Sequence, residues 1–147
     1  MNELRIEHRI IQVSMAALGI AAIGIGTMVF LMGVQFIWLT EASFIFASGQ
    51  SIPVDPATIS PTIDNEFRFY SIFWLSYGVL VLRVARNILA QIRRVPILVG
   101  LFFIGGIGRA LSLIFVGAPH PAFIVLMIVE LVTPVLVAIL YTRIPKL

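Results

Sequence analysis

Arg109 and Glu130 each interrupt an apolar stretch long enough to cross a membrane, the first from about Pro96 to Val116 and the second from about Ala122 to Tyr141. A guanidinium and a carboxylate in such surroundings can neutralise each other, hold the opposite charge of a ligand, or exchange a proton. Hydrocarbon limits the choice, because an unpaired charge at mid-span costs about 3 kcal/mol on insertion scales. Between the stretches lies Gly117-Ala118-Pro119-His120-Pro121, a break whose centre is equidistant from the two residues to within one position. An antiparallel hairpin therefore brings them level, roughly 12 to 16 Å below the turn at ~1.5 Å per residue, near the middle of a core about 30 Å thick.

Other polar residues gather on the same side of that level. Ser112 follows Arg109 by three positions and shares its helix face. Gln35, Asn65, Glu66, Arg68, Ser71 and His120 all fall in the outer half of their segments or at the outer surface. Read together, Gln35, Asn65, Arg68, Ser112 and His120 line a cavity that opens outward and narrows to Arg109 and Glu130. The alternative is a structural ion pair that fixes helix register, with Asn65, Glu66 and Arg68 solvated at a helix end. His120, between Pro119 and Pro121, is a surface turn residue in one reading and a proton relay in the other; alone it makes no metal site. Pro134 removes the hydrogen bond to the carbonyl of residue 130 and bends its helix, which either widens a cavity beside the acid or serves packing alone.

The elements that must position these residues follow from composition. At 60% hydrophobic and 12% charged residues, with a mean hydropathy of +1.07, the chain is too apolar for a soluble domain. The expected fold is all-α: a four-transmembrane-helix bundle, one domain over 1–147, with spans near 10–39, 66–89, 96–116 and 122–141. The absence of cysteine excludes disulfides and thiolate chemistry. No metal or other cofactor is expected. The first segment, ~30 residues or about 45 Å as a helix, exceeds what a bilayer needs and must tilt, bend or emerge. It is too long for a signal-peptide core and has no small-residue cleavage site after it.

Arginines orient the segments. Arg5 and Arg9 precede the first, Arg83, Arg86, Arg93 and Arg94 surround the second break, and Arg143 and Lys146 follow the last. With four spans all three clusters fall on one side, which the positive-inside rule makes cytoplasmic for both termini. The expected surrounding partner is the lipid bilayer, and no nucleic acid is expected. The outer link from 40 to 65, ~26 residues, is long for a structureless loop. Its start at Glu41 to Phe46 is apolar enough for the interface, Asp55-Pro56 suits a helix start, and Pro61 is expected to stop that short turn. Gly19, Ala22, Gly26 and Gly33 form a small-residue stripe on the first segment, and Gly105, Gly106, Gly108 and Ser112 do similar work on the third. Such stripes pack helices within one chain or form a homodimer face.

Three strings carry a resemblance: Asn65-Glu66-Phe67-Arg68-Phe69, Gly106-Ile107-Gly108-Arg109-Ala110-Leu111-Ser112, and Gly117-Ala118-Pro119 with the later Glu130. In these the chain resembles an uncharacterised family of small bacterial four-helix inner-membrane proteins, a domain of unknown function. The resemblance implies four helices and no assigned reaction, and it falls on Asn65, Arg68, Gly108, Arg109, Ser112, Pro119 and Glu130.

Three functions remain open from sequence. The chain binds or moves a small anionic or amphipathic, lipid-like molecule at Arg109 and Glu130. Or it is an accessory or assembly subunit that docks a membrane protein partner through its glycine faces, with a purely structural ion pair. A membrane enzyme ranks last and the chain is read as no enzyme, since nucleophile, base and metal cluster are not found at recognisable spacing.

Overall fold

Hydrocarbon leaves a backbone little choice: every N–H and C=O must be satisfied within its own segment, and a helix does this. The computed structural model describes residues 2–48 and 60–144, and there every regular element is a helix, with no strand among the described residues. The order is α1 (Asn2–Met32), α2 (Val34–Ser48), α3 (Pro61–Arg86), a single turn α4 (Ile88–Gln91), a 3-10 turn (Ile92–Arg94), α5 (Val95–Phe115) and α6 (Pro121–Thr142). Four stretches are long and apolar enough to cross a membrane: Ile6–Met32, Pro61–Arg86, Ile88–Phe115 and Pro121–Thr142. The protein is a multi-pass membrane protein. Buried positions recur at spacings of three and four, as in Ile11, Met15, Gly19, Ala22, Gly26 and Val29 of α1 or Val95, Leu98, Val99, Phe102 and Gly106 of α5. These are narrow seams of the coiled-coil type. Large side chains off the seams, such as Ile20, Leu31, Ile104 and Ile114, are exposed and suit contact with lipid.

The chain divides into two units, Leu18–Leu80 and Met1–Ala17 with Val81–Leu147. In the first, α1 and α3 approach closely because glycines face backbone. A Cβ on Gly26 would lie 2.8 Å from the Leu75 amide nitrogen, and one on Gly78 would lie 2.8 Å from the Gly19 carbonyl oxygen. Gly33 does something else. Its φ of +60° ends α1, so the apolar run expected as one segment over 10–39 is two helices meeting at this residue. A left-handed residue is a common way to stop a helix, and glycine adopts it without a Cβ penalty. The same break makes the first part of the expected 40–65 loop helical, since α2 continues to Ser48.

α3 begins at Pro61, five residues before the expected start at Glu66. Proline is favoured in the first helical turn, where its missing N–H removes no hydrogen bond. It therefore starts a helix here. The short turn expected after Asp55-Pro56 lies outside the described residues.

In the second unit Ile11, Met15, Val81, Val84 and Val95 are fully buried. Gln12 Nε2 donates to the Ala85 carbonyl at 2.9 Å. The glycine stripe on α5 is thinner than its sequence suggests. A Cβ at Gly105 or Gly108 would meet nothing within 4 Å, and only Gly106 faces a neighbour.

Candidate functional site

The hairpin that carries Arg109 and Glu130 is closed by capping. α5 ends where the Val116 and Gly117 amides both donate to the Ser112 carbonyl, at 2.8 and 3.3 Å, and Gly117, at φ +121°, turns the chain. His120 is the N-cap of α6: its Nδ1 accepts from the Ala122 amide at 3.3 Å. Pro121 then occupies the first position of the helix. Along the hairpin Gly106 admits α6, because a Cβ there would lie 2.9 Å from Leu131 Cδ2 and 3.0 Å from Glu130 Cβ. One turn further along α5, Arg109 Nε donates to Glu130 Oε2 at 2.8 Å. The two charges are level and paired, as the symmetry of the turn requires.

The pair is lopsided. The Glu130 side chain is 5% exposed and that of Arg109 34%. The guanidinium carbon sits 5.8 Å from the centroid of the Phe123 ring, a cation–π contact. Beyond Nε, the guanidinium makes no hydrogen bond among the described residues, and none of its nitrogens is a buried orphan. Its remaining donors are therefore accessible. Arg109 fronts a cavity of about 100 Å³ whose other walls are Ser112, Leu113, Pro119, Phe123, Ile124 and Met127. Pro134 lies buried one turn below Glu130, inside an α6 that continues to Thr142.

The residues expected around this cavity do not all line it. Ser112 and Pro119 line it; Gln35, Asn65, Arg68 and His120 are not among its walls. Gln35 and Asn65 are exposed. Arg68 belongs to the other unit, where with Asp64 it ties down the break at Gly33. Arg68 Nε donates to Asp64 Oδ2 at 2.7 Å, and its Nη1 donates to the Phe30 and Leu31 carbonyls at 2.9 and 3.0 Å. Asp64 Oδ1 accepts from the Val34 amide at 2.9 Å. The arginine thus caps the end of α1 while the aspartate caps the start of α2, two jobs usually done by residues within the helix concerned. A Cβ at Gly33 would collide with the Asp64 carboxylate. Sequence reading overlooked Asp64 and Phe123. Phe123 had a signal: it precedes Glu130 by two helical turns and so shares its face.

Residues 10–141 match the model of a family described as a domain of unknown function, DUF4345. The chain belongs to that family. No curated protein and no solved structure matches it. The matched range includes the Gly33 break with Asp64 and Arg68, and the hairpin with Arg109, Glu130 and their cavity. Among the described residues of this DUF4345 protein, no group of His, Asp and Glu is arranged to hold a metal ion.

Proposed function

We propose that this DUF4345 protein is a membrane-embedded binding protein that takes the acidic head of a small amphipathic molecule at Arg109, from the outer side. One observation carries the reading: at hydrocarbon depth, a guanidinium bonded only through Nε keeps its other donors open toward a cavity. An exposed arginine at that depth needs a polar partner, and its planar fork suits a carboxylate or phosphate gripped by two parallel bonds. Glu130 holds the guanidinium in place, Ser112 offers a hydroxyl, and Phe123 covers one side. A cavity of about 100 Å³ has room for about three waters at ~30 Å³ each, enough for a headgroup whose apolar tail stays in the hydrocarbon. The reading involves no reaction, metal or cofactor. It takes the chain to lie in a bacterial inner membrane, as the family resemblance implies, with both ends cytoplasmic on the strength of its arginines.

The test uses the full chain in nanodiscs with dodecanoate as the probe. Binding is expected for the parent and lost in Arg109→Gln. The double change Arg109→Leu with Glu130→Leu is expected to fold and not to bind. If the folded leucine pair still binds dodecanoate, the reading fails.

A second reading has its own support. Gly105 and Gly108 are open to close approach by another helix, which suits an accessory subunit or a homodimer whose partner covers α5. Crosslinking at Gly105 in native membranes is then expected to trap a larger species, and a result of monomer alone counts against it.

A further inference from the structure

An arginine also caps α6, at the end opposite the Gly117 turn. Arg143 is the C-cap residue of the helix, is exposed, and has no side-chain hydrogen bond or ion pair among the described residues. It closes one end of a groove of about 400 Å³ between α6 and the start of α1, walled by Ile10, Ser14, Thr133, Val137 and Leu140. Ten residues separate Thr133 from Arg143, so the groove runs ~15 Å along the helix. That length is the depth of one leaflet in a core about 30 Å thick. α6 itself, at 22 residues, has the length of the whole core. The cation therefore lies at the interface and the apolar walls descend toward the bilayer midplane.

We infer that this groove binds one anionic phospholipid, its phosphate on Arg143 and an acyl chain along Val137 and Leu140. Three features select this occupant over a neutral lipid or a protein helix. The one charged wall residue is an arginine with no ion pair among the described residues, at the end of the groove where a headgroup would be. The volume lies in the range of ordinary ligand sites, about 300 to 1,000 Å³, and is lined mainly by aliphatic side chains. Arg9, exposed and adjacent to the wall residue Ile10, adds positive charge to the same end of α1. Basic pockets between spanning helices are recurrent sites for anionic headgroups.

The experiment is lipid retention by the full chain, extracted from vesicles of phosphatidylcholine and phosphatidylglycerol at about three to one and read by native mass spectrometry. The parent is expected to retain phosphatidylglycerol well above its share of the vesicle. Arg143→Gln is expected to lower that preference about fivefold, the effect of one arginine at an anionic surface. Arg93→Gln removes an exposed arginine outside the groove and is expected to leave it unchanged. Ser14→Leu fills the groove and is expected to remove the bound lipid; Thr133→Leu serves the same purpose should the first variant not fold. A parent that retains the two lipids in the vesicle ratio overturns the proposal. So does an equal loss in the Arg93 and Arg143 variants, which would mean a diffuse charge effect.

Discussion

Both oxygens of the Asp64 carboxylate are engaged, one by the Val34 amide and one by Arg68, whose guanidinium also reaches two backbone carbonyls. In the Arg109–Glu130 pair one bond joins the partners, the second carboxylate oxygen has no hydrogen bond among the described residues, and a cavity lies alongside. The first pair spans one helical turn and its arginine is 40% exposed; the second joins two helices and its carboxylate is buried. Two pairs of the same chemistry thus have different surroundings. Where the bonds terminate on backbone at a helix break, the charges are construction. Where donors stay open beside a cavity, they are available to something else.

Mutation can separate these roles. The largest expected effect is from Glu130→Ala, which leaves Arg109 without its partner at hydrocarbon depth and should lower stability by about 3 kcal/mol in nanodisc unfolding. The leucine double change should return to within about 1 kcal/mol of the parent, because it removes both charges. If Glu130→Ala proves harmless, the contrast between the pairs collapses. Next comes Gly33→Val, which forces a β-branched residue into the left-handed region and against Asp64; a loss of roughly 1 to 3 kcal/mol is expected, read by thermal unfolding. Arg68→Gln should cost less, lowering Tm by a few degrees and leaving dodecanoate binding intact. Loss of binding in that variant, with its fold preserved, would tie the first pair to the site and erase the distinction. The smallest effect belongs to Gly108→Ala. Nothing lies near that position, so helix propensity alone should raise stability by up to about 1 kcal/mol.

Some of this was legible in the sequence because it depends on counting. Arg109 and Glu130 are equidistant, to within one position, from a proline-glycine turn, and helical rise does the rest. The four spans follow from runs of apolar residues, to which Pro121 and Gly117 add local punctuation. Gly33 defeated the same method. It continues the three-and-four spacing of Gly19, Ala22 and Gly26, and no spacing reveals the sign of φ. Its cause is partly remote, since the carboxylate that caps α2 comes from thirty residues away. Pro61 was ambiguous for a related reason: proline both ends and begins helices, and the residues on its C-terminal side decide between the two. Among Gly105, Gly106 and Gly108, the one that meets α6 depends on the rotation of α5 about its axis, which only the partner helix fixes.

The hairpin also has a history to get through during synthesis. Arg109 leaves the ribosome 21 residues ahead of Glu130, an interval of about one to four seconds at ~5–20 residues per second. Through that interval the nascent α5 has a cation and no counter-charge. The short turn from 116 to 120 lets α6 follow at once and neutralise it, so the two helices are favoured to partition into lipid as one unit. Lengthening that turn would prolong the wait, and the penalty would then fall on biogenesis before the finished fold was ever at stake.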